Sequence, residues 1–205
     1  MKAKIFAVAL ASALLLMACQ DSGKAEPEVK QETEQKQGQK ADDGVKETKN
    51  IFKNYTADTL NGIKTNTHTV FDQAELTVVY VWDLSCDSCK EDMKVLGEIG
   101  RENAGWGVQV LGIVRGVNEE NRAEAVSIIE ESKADYVQMI ASDEMEEQLL
   151  NKYSDSPVTL MVASDGQILD DVLTDVGDKA HWTDKIGEYH SKVCVNDHPA
   201  DCGVG

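Results

Sequence analysis

The sequence has little positive charge and few long apolar segments. Its 205 residues include 20 Lys and Arg against 37 Asp and Glu, a net charge of −17. An acidic excess of that size repels nucleic acid and anionic lipid headgroups, and we interpret it as a solubilising surface. After the N-terminus, no window approaches the ~20 apolar residues of a membrane helix. No internal repeat is present. The sequence therefore predicts an acidic globular protein that is soluble beyond its N-terminal segment.

The N-terminus has the pattern of an export signal. Residues 1–18 combine two early lysines with an apolar core and end in Leu16-Met17-Ala18, directly before Cys19. A short cationic start, a brief apolar core and a small residue before the cut are typical of a secretory signal. The ending resembles the lipobox of bacterial lipoproteins, which implies that Cys19 carries a lipid. The alternative is an ordinary signal peptide with a cysteine after it by chance.

Three further segments follow the signal. Residues 19–50 contain no aromatic residue and are mostly Lys, Glu, Gln, Asp and Gly, so they cannot repay the entropy of ordering. We interpret them as a lipidated flexible tether. Residues 51–193 have the length of one domain, and residues 194–205 form a short C-terminal tail.

The remaining cysteines fall into two pairs, Cys86 with Cys89 and Cys194 with Cys202. Disulfides persist in an exported, oxidising setting. A Cys194–Cys202 disulfide is the plainer interpretation of the tail, where it would restrain a segment with few apolar residues. His190 and His198 lie near this pair and leave a zinc site as the alternative. Because Pro199 argues against one continuous helix there, we expect no metal site.

The order of elements predicts an α/β domain. After a lead-in with short turns (51–76), buried strands are predicted at 76–82, 108–114 and 156–164, with 167–173 as a hairpin partner of the last. Helical spacing follows Cys89 and recurs at 118–134, 143–153 and 181–193. The first half therefore requires parallel strands with helical crossovers, and the end requires an antiparallel hairpin and a helix.

Cys86 and Cys89 lie at the step from the first strong strand into its helix. We expect Cys86 at the helix N-terminus, where unpaired N–H groups and the helix dipole favour a thiolate. A thiolate attacks disulfides, and a second thiol three residues on can resolve the mixed disulfide. A purely structural disulfide seldom closes so small a loop. The spacing favours dithiol exchange over a structural clasp or half of a zinc site.

A second motif, Ser156-Pro157-Val158-Thr159, precedes a predicted strand. A proline there cannot donate to the ladder and usually marks an edge, a bulge or a cis bond. Together with the Cys-x-x-Cys step, this order resembles the thioredoxin fold, and more closely the membrane-anchored TlpA/ResA-like thiol-disulfide oxidoreductases.

That resemblance covers residues 51–193. It implies a central mixed sheet flanked by helices, with an N-terminal extension and an inserted βα-type segment near 115–135. It also implies that Cys86 attacks, Cys89 resolves, and a cis Pro157 shapes a substrate groove in which the backbone at Ser156 pairs with the client. The redox-active disulfide would then serve without any further cofactor.

The chain departs from the family pattern near the cysteines. Ser85 stands where Trp is usual, and Tyr80 replaces the buried Asp of thioredoxins. Asp92 stands where the family often has Glu, so it is a candidate proton relay for Cys89, with a solvated carboxylate as the alternative. Asp83 and Asp87 oppose a thiolate at Cys86. Our hypothesis is that Cys86 is only mildly acidified and that the protein works as a reductant.

The sequence thus predicts an exported, lipid-anchored oxidoreductase on the bacterial cell membrane. By resemblance, its partners would be client proteins with disulfides and a CcdA-like membrane thiol transporter as electron donor. Clients could include cytochrome c maturation proteins or an exported methionine sulfoxide reductase. The alternatives are a peroxiredoxin-like protein, a copper-binding assembly protein of the same fold, and a non-catalytic surface lipoprotein.

Overall fold

The computed structural model describes residues 50–153, 156–169 and 178–195. The strands are β1 (Thr56–Asp58), β2 (Lys64–Asn66), β3 (Leu76–Asp83), β4 (Val108–Arg115), β5 (Val137–Ile140) and β6 (Val158–Ala163). The α-helices are α1 (Thr67–Phe71), α2 (Cys89–Asn103), α3 (Arg122–Glu131), α4 (Asp143–Gln148) and α5 (Lys179–Val193). Single 3₁₀ turns follow α2, at Ala104–Trp106, and α4, at Leu150–Lys152.

The central sheet has the strand order β5-β4-β3-β6. β3 pairs in parallel with β4, and β4 pairs in parallel with β5, whereas β6 is antiparallel to β3. β3 is buried along almost its whole length, as expected for a strand covered on both faces. The fold class, a mixed sheet flanked by helices, is confirmed.

Alternation along β3 divides the core into two layers. Val78, Tyr80 and Trp82 pack in one cluster with α2 and α5, while Val79 and Val81 pack in the other. Successive strand side chains point to opposite faces, so this division follows from the sequence. In α2, Met93, Leu96 and Ile99 are fully buried at helical spacing. Each such side chain contributes about 1.5–3 kcal/mol when it leaves water.

The main strands and helices lie where the sequence predicts them, but two regions differ. Strand β5 was not predicted, because four residues between two helical patterns give little periodic signal. The lead-in contains the β1–β2 hairpin and α1, not only turns. The Asn66 side chain accepts from the Thr69 N–H and caps α1.

One predicted helix start changes, and the first part of a predicted hairpin is present. Helix α3 begins at Arg122, four residues later than predicted, because Asn118 and Asn121 close a turn through side-chain hydrogen bonds. After β6, the Leu169 N–H donates to the Met161 carbonyl at 2.8 Å, which is the predicted hairpin pairing. Residues 170–173 of that hairpin lie outside the described residues. Among the described helices, none is long and apolar enough to cross a membrane.

Candidate active site

The two cysteines lie in a tight turn that links β3 to α2, and they are joined by a disulfide. Their Cα atoms are 5.4 Å apart. The Cys86 N–H donates to the Asp83 carbonyl at 3.2 Å, and the Cys89 N–H donates to the Cys86 carbonyl at 3.3 Å. Helix α2 begins at Cys89. The prediction that Cys86 lies at the helix N-terminus is therefore wrong, since Cys86 stands in the turn just before it.

The two sulfur-bearing residues differ in exposure. Cys86 is partly exposed, whereas Cys89 is fully buried. The Cys86 sulfur lies 3.7 Å from the Ser88 hydroxyl, which is also exposed. Cys89 packs with Met93 and Leu96 in the core layer beneath the sheet. A large partner can therefore approach only the first of the two cysteines.

The Ser156–Pro157 peptide bond is cis, as the resemblance implies. Both residues are partly exposed and lie immediately before β6. The β3–β6 register pairs Val81 with Val158. Two residues further along, the same register brings Asp83 opposite Ser156. The sheet thus places the cysteine turn and the proline turn, which lie about 70 residues apart in the sequence, at the same end of neighbouring strands.

Asp92 lies on α2, one turn after Cys89 and on the same buried face. It is only 2% exposed, so the interpretation as a solvated carboxylate is wrong. The Tyr80 hydroxyl donates to Asp92 Oδ2 at 2.9 Å. Burial raises the pKa of Asp92, and the weaker opposing effect is the hydrogen bond from Tyr80. Burial and the neighbouring Asp92 charge raise the pKa of Tyr80, so its hydroxyl remains protonated.

Tyr80 is a site residue that the sequence analysis missed. The two departures from the family pattern, Tyr80 and Asp92, are each other's partner. A tyrosine occupies the strand position at which thioredoxins carry a carboxylate, and the carboxylate comes from the helix instead. Both substitutions were visible in the sequence, but only their spatial pairing reveals that they belong together.

A second buried polar pair flanks Tyr80. The Trp82 Nε1–H donates to Gln138 Oε1 at 3.1 Å. Gly112 on β4 pairs with Tyr80 on β3 and with Gln138 on β5, so it lies between these two residues in the sheet. A Cβ at Gly112 would lie 1.9 Å from Gln138 Oε1, so only glycine lets this side chain cross the strand toward Trp82. The nearby Tyr136 hydroxyl is also buried, and burial raises its pKa.

The opposite face of the same sheet end carries charged groups that the sequence analysis did not bring together. Asp83 pairs with Arg115 in the β3–β4 register. Arg115 forms a two-pronged ion pair with Glu146, with Nε–Oε1 at 3.0 Å and Nη2–Oε2 at 2.7 Å. Its Nη1 donates to the Tyr153 carbonyl at 3.1 Å. Bidentate geometry of this kind holds both side chains in fixed orientations.

Burial tends to raise the pKa of Asp83, but the hydrogen bonds from Ser85, the nearby Ser156 hydroxyl and the Arg115 charge outweigh it. The net effect is a lowered pKa. The Ser85 N–H donates to Asp83 Oδ1 at 2.8 Å, and the Ser85 hydroxyl donates to the same oxygen. Asp83 therefore fixes the residue directly before Cys86 and remains ionised at neutral pH.

A separate group of candidate ligands lies at the other end of β3. Ligand atoms of Glu75, His190 and Cys194 all lie within 4.8 Å of one another. His190 Nε2 is 2.9 Å from Glu75 Oε2. Cys194 is disulfide-bonded, so its sulfur is not a free thiolate. Cys202 lies outside the described residues, and its pairing with Cys194 stays a prediction.

Cys19, the predicted site of lipid attachment, also lies outside the described residues, as do the whole signal segment 1–18 and nearly all of the predicted tether. The lipid attachment and the tether therefore stay predictions.

The chain has the fold of thioredoxin-like proteins, and 253 solved chains match its structure. A thioredoxin-family thiol:disulfide interchange protein from Chlorobium tepidum matches with a TM-score of 0.56 at 13% identity, covering 65% of this chain and 91% of that one. The thioredoxin domain of a thiol-disulfide oxidoreductase from Bacteroides vulgatus matches with a TM-score of 0.54 at 18% identity, and the match covers 66% of this chain and 94% of that one.

A secreted Mycobacterium tuberculosis disulfide oxidoreductase, homologous to Escherichia coli DsbE, matches with a TM-score of 0.53 at 15% identity. The match covers 95% of that protein and 65% of this chain. No protein-family model and no curated relative matches the sequence. At such low identities the similarity establishes the fold alone.

Proposed function

We propose that the protein is an exported, lipid-anchored thiol-disulfide oxidoreductase that reduces disulfides in client proteins. The observation that carries this proposal is the Cys86–Cys89 disulfide with one partly exposed and one buried cysteine, next to a cis proline turn. The solved structures that resemble this fold include several thiol-disulfide oxidoreductases, which supports the same chemistry.

The reaction begins with the reduced dithiol. The Cys86 thiolate attacks one sulfur of the client disulfide, forming a mixed disulfide and releasing the other client sulfur as a thiolate. The Cys89 thiolate then attacks the Cys86 sulfur, which closes the internal disulfide and releases the second client thiolate. Two electrons pass from the dithiol to the client, and the released client thiolates take up two protons.

The difference in exposure supports the roles that we propose for the two cysteines. Cys86 is accessible, so it meets the client, while the fully buried Cys89 can be reached only by its neighbour. Cys89 must lose a proton before it resolves the complex, and burial in an apolar layer opposes a free thiolate. Asp92, one turn away on the same buried face, is the proton acceptor that we propose for this step. Tyr80 positions its carboxyl group.

The N-terminal pattern supports a place for the protein at the cell membrane. We propose that residues 1–18 are removed, that Cys19 is lipidated, and that a CcdA-like thiol transporter in the membrane returns electrons to the oxidised pair. Mass spectrometry of the mature N-terminus tests the lipid, with Cys19→Ala as the control. In cells without the transporter, the Cys86–Cys89 pair should accumulate in the oxidised form.

Trapping tests the central proposal. A Cys89→Ala variant should retain clients as mixed disulfides on Cys86, which appear as reductant-sensitive bands and identify the clients by mass spectrometry. Cys86→Ala is the matched control and should retain none. Equal capture by the two variants, or no capture and no reduction of a model disulfide by the reduced wild type, would contradict the proposal.

A further inference from the structure

Beside the cysteine turn, a polar depression opens on the sheet face opposite α2. It has a volume of about 420 Å³ and is lined by Asp83, Arg115, Gly116, Glu146, Asn151 and Ser156. That volume lies within the range of about 300–1,000 Å³ that is typical of ligand sites. The Cys86 N–H donates to the carbonyl of Asp83, one of the lining residues. The depression therefore adjoins the backbone of the reactive turn.

The sheet register determines how the residues that line the depression are arranged. Asp83 pairs with Arg115, and the β3–β6 register, extended two residues before β6, places Ser156 in the same row. Ser156 directly precedes the cis Pro157, the position at which the resemblance places the client backbone. A client strand there would rise about 3.3 Å per residue and alternate its side chains. A side chain within two positions of the attacked cysteine is thus within reach of the depression.

Of the two carboxylates that line the depression, Glu146 is paired with a cation, whereas among the described residues Asp83 has no such partner. Both carboxylate oxygens of Glu146 bond to Arg115, and the side chains of this pair are only 21% and 23% exposed. Three of the five Arg115 donors are already engaged. Within the part of the chain that the structure describes, Asp83 forms no ion pair of its own: it receives hydrogen bonds from Ser85, and the nearby Arg115 is already paired with Glu146.

The Ser156 hydroxyl adds an acceptor to the same depression. Its oxygen is buried and has no hydrogen bond of good geometry among the described residues, although it lies close enough to Asp83 to help lower that residue's pKa. Buried polar atoms are usually satisfied, so an incoming donor gains an unused acceptor here.

We propose that this depression is a client subsite that takes a lysine or arginine side chain flanking the client's disulfide cysteine, with Asp83 as its counter-charge. The inference rests on the proposed reductase function and adds a substrate class to it. An ammonium or guanidinium group supplies the donors that Asp83 and Ser156 can accept. A carboxylate side chain would instead face Asp83 and Glu146, with Arg115 already committed.

The test uses short peptides with a single cysteine held as a mixed disulfide with 2-nitro-5-thiobenzoate. The residue two positions from the cysteine is Lys, Gln or Glu, and the full-length reduced protein is mixed with each peptide in stopped-flow absorbance measurements. We expect wild type to reduce the Lys peptide about tenfold faster than the Glu peptide, a difference of about 1.4 kcal/mol. Asp83→Asn should reduce that ratio to about twofold or less.

Asp87→Asn is the matched control, because it removes the same charge next to Cys86 from an exposed residue that does not line the depression. It should keep most of the tenfold ratio. Asp83→Glu, which retains the charge, should also keep most of it and thereby separates loss of charge from loss of folding.

Equal rates for the three peptides, or the same loss in both Asn variants, would overturn the subsite. A preference for the Glu peptide would also overturn it and would assign recognition to Arg115. If wild type reduces none of the peptides, the reductase proposal itself fails. If it reduces all of them at equal rates, only the subsite fails.

Discussion

Asp83 and Asp92 are the two aspartates whose environments differ most on either side of the dithiol. Asp83, at the end of β3, receives hydrogen bonds from hydroxyl and backbone donors and lies near Arg115, and its pKa is lowered. Asp92, inside α2, is almost fully buried with Tyr80 as its donor, and its pKa is raised. The pKa of the same side chain shifts in opposite directions because burial outweighs the single Tyr80 hydrogen bond at Asp92, whereas hydrogen-bond donors and the Arg115 charge outweigh burial at Asp83. Such differences in environment are the usual way in which neighbouring carboxylates come to serve different roles.

This difference separates two tasks at one end of the sheet. A carboxylate that remains ionised suits recognition of a cation, since its charge is constant across the physiological range. A carboxylate with a raised pKa suits proton transfer, because an acid–base group works best when its pKa lies near the operating pH. The sheet lies between the two, because Asp92 on α2 packs against the face that carries Tyr80, whereas Asp83 lies on the opposite face.

The largest effect is expected from Asp92→Asn. The amide cannot accept the Cys89 proton, so release of the client from Cys86 should slow by about 10²-fold, at the low end of general acid–base contributions. The rate of mixed-disulfide resolution, followed by rapid quenching with acid and mass spectrometry, measures this step. Glu91→Gln, which changes an exposed neighbour, is the control. A resolution rate within twofold of wild type in Asp92→Asn would remove Asp92 from the mechanism.

The next largest effect is expected from Gly112→Ala. The added methyl group would overlap Gln138 Oε1, so the Gln138–Trp82 hydrogen bond must break or the strands must shift. Overpacking of this kind costs about 1–3 kcal/mol of unfolding free energy, measured by urea denaturation. Gly105→Ala is the control, because nothing lies within 4 Å of its added Cβ. Equal stability of the two variants would mean that Gln138 moves aside freely and that the buried polar layer is loosely held.

How much of this site could be read from the sequence depends on whether a signal is local. The cysteine pair and Pro157 were identifiable because each sits in a short motif at a strand end. The buried strands β3 and β4 were identifiable from continuous apolar runs. By contrast, β5 is only four residues long and pairs along one edge of β4, so its sequence carries little of its own signal.

The remaining site residues depend on contacts between distant segments. Arg115 and Glu146 are 31 residues apart and meet only because the fold brings α4 beside the end of β4. Tyr80 looked like the loss of a family feature, whereas in space it is the partner of Asp92. Whether Asp92 is buried or solvated also could not be decided from its position in a first helical turn, because that depends on the tertiary packing of α2 against β3.

A smaller effect is expected from Tyr80→Phe. The variant loses one buried hydrogen bond, with a stability cost of about 1 kcal/mol. Since the Tyr80 hydrogen bond opposes the effect of burial on Asp92, its loss should move the pKa of Asp92 further upward. Carboxyl ¹³C chemical shifts of Asp92 against pH measure this directly. Tyr136→Phe removes a buried hydroxyl that makes no hydrogen bond to Asp92, and should leave the Asp92 titration in place. An unchanged Asp92 titration in Tyr80→Phe would show that burial alone sets it.

The smallest effect is the pH dependence of stability, where the two aspartates should act with opposite sign. An unfolded aspartate has a pKa of about 3.9, and each pH unit of difference from the folded value corresponds to about 1.4 kcal/mol. For Asp83, with a lowered folded pKa, the stabilisation is fully present above ~3.9 and is lost as the pH falls through the folded value. For Asp92, whose folded pKa is raised, the stabilisation is fully present below the unfolded pKa of ~3.9 and is lost as the pH rises through the folded pKa.

Urea denaturation of wild type, Asp83→Asn and Asp92→Asn between about pH 2 and pH 8 tests both signs in one series. The stability advantage of wild type over Asp83→Asn should shrink toward acid, and its advantage over Asp92→Asn should shrink toward neutral pH. Asp87→Asn, at an exposed position, controls for the change in net charge. Two differences that slope in the same direction would mean that the carboxylates share one environment, and the division between recognition and proton transfer would then have no electrostatic basis.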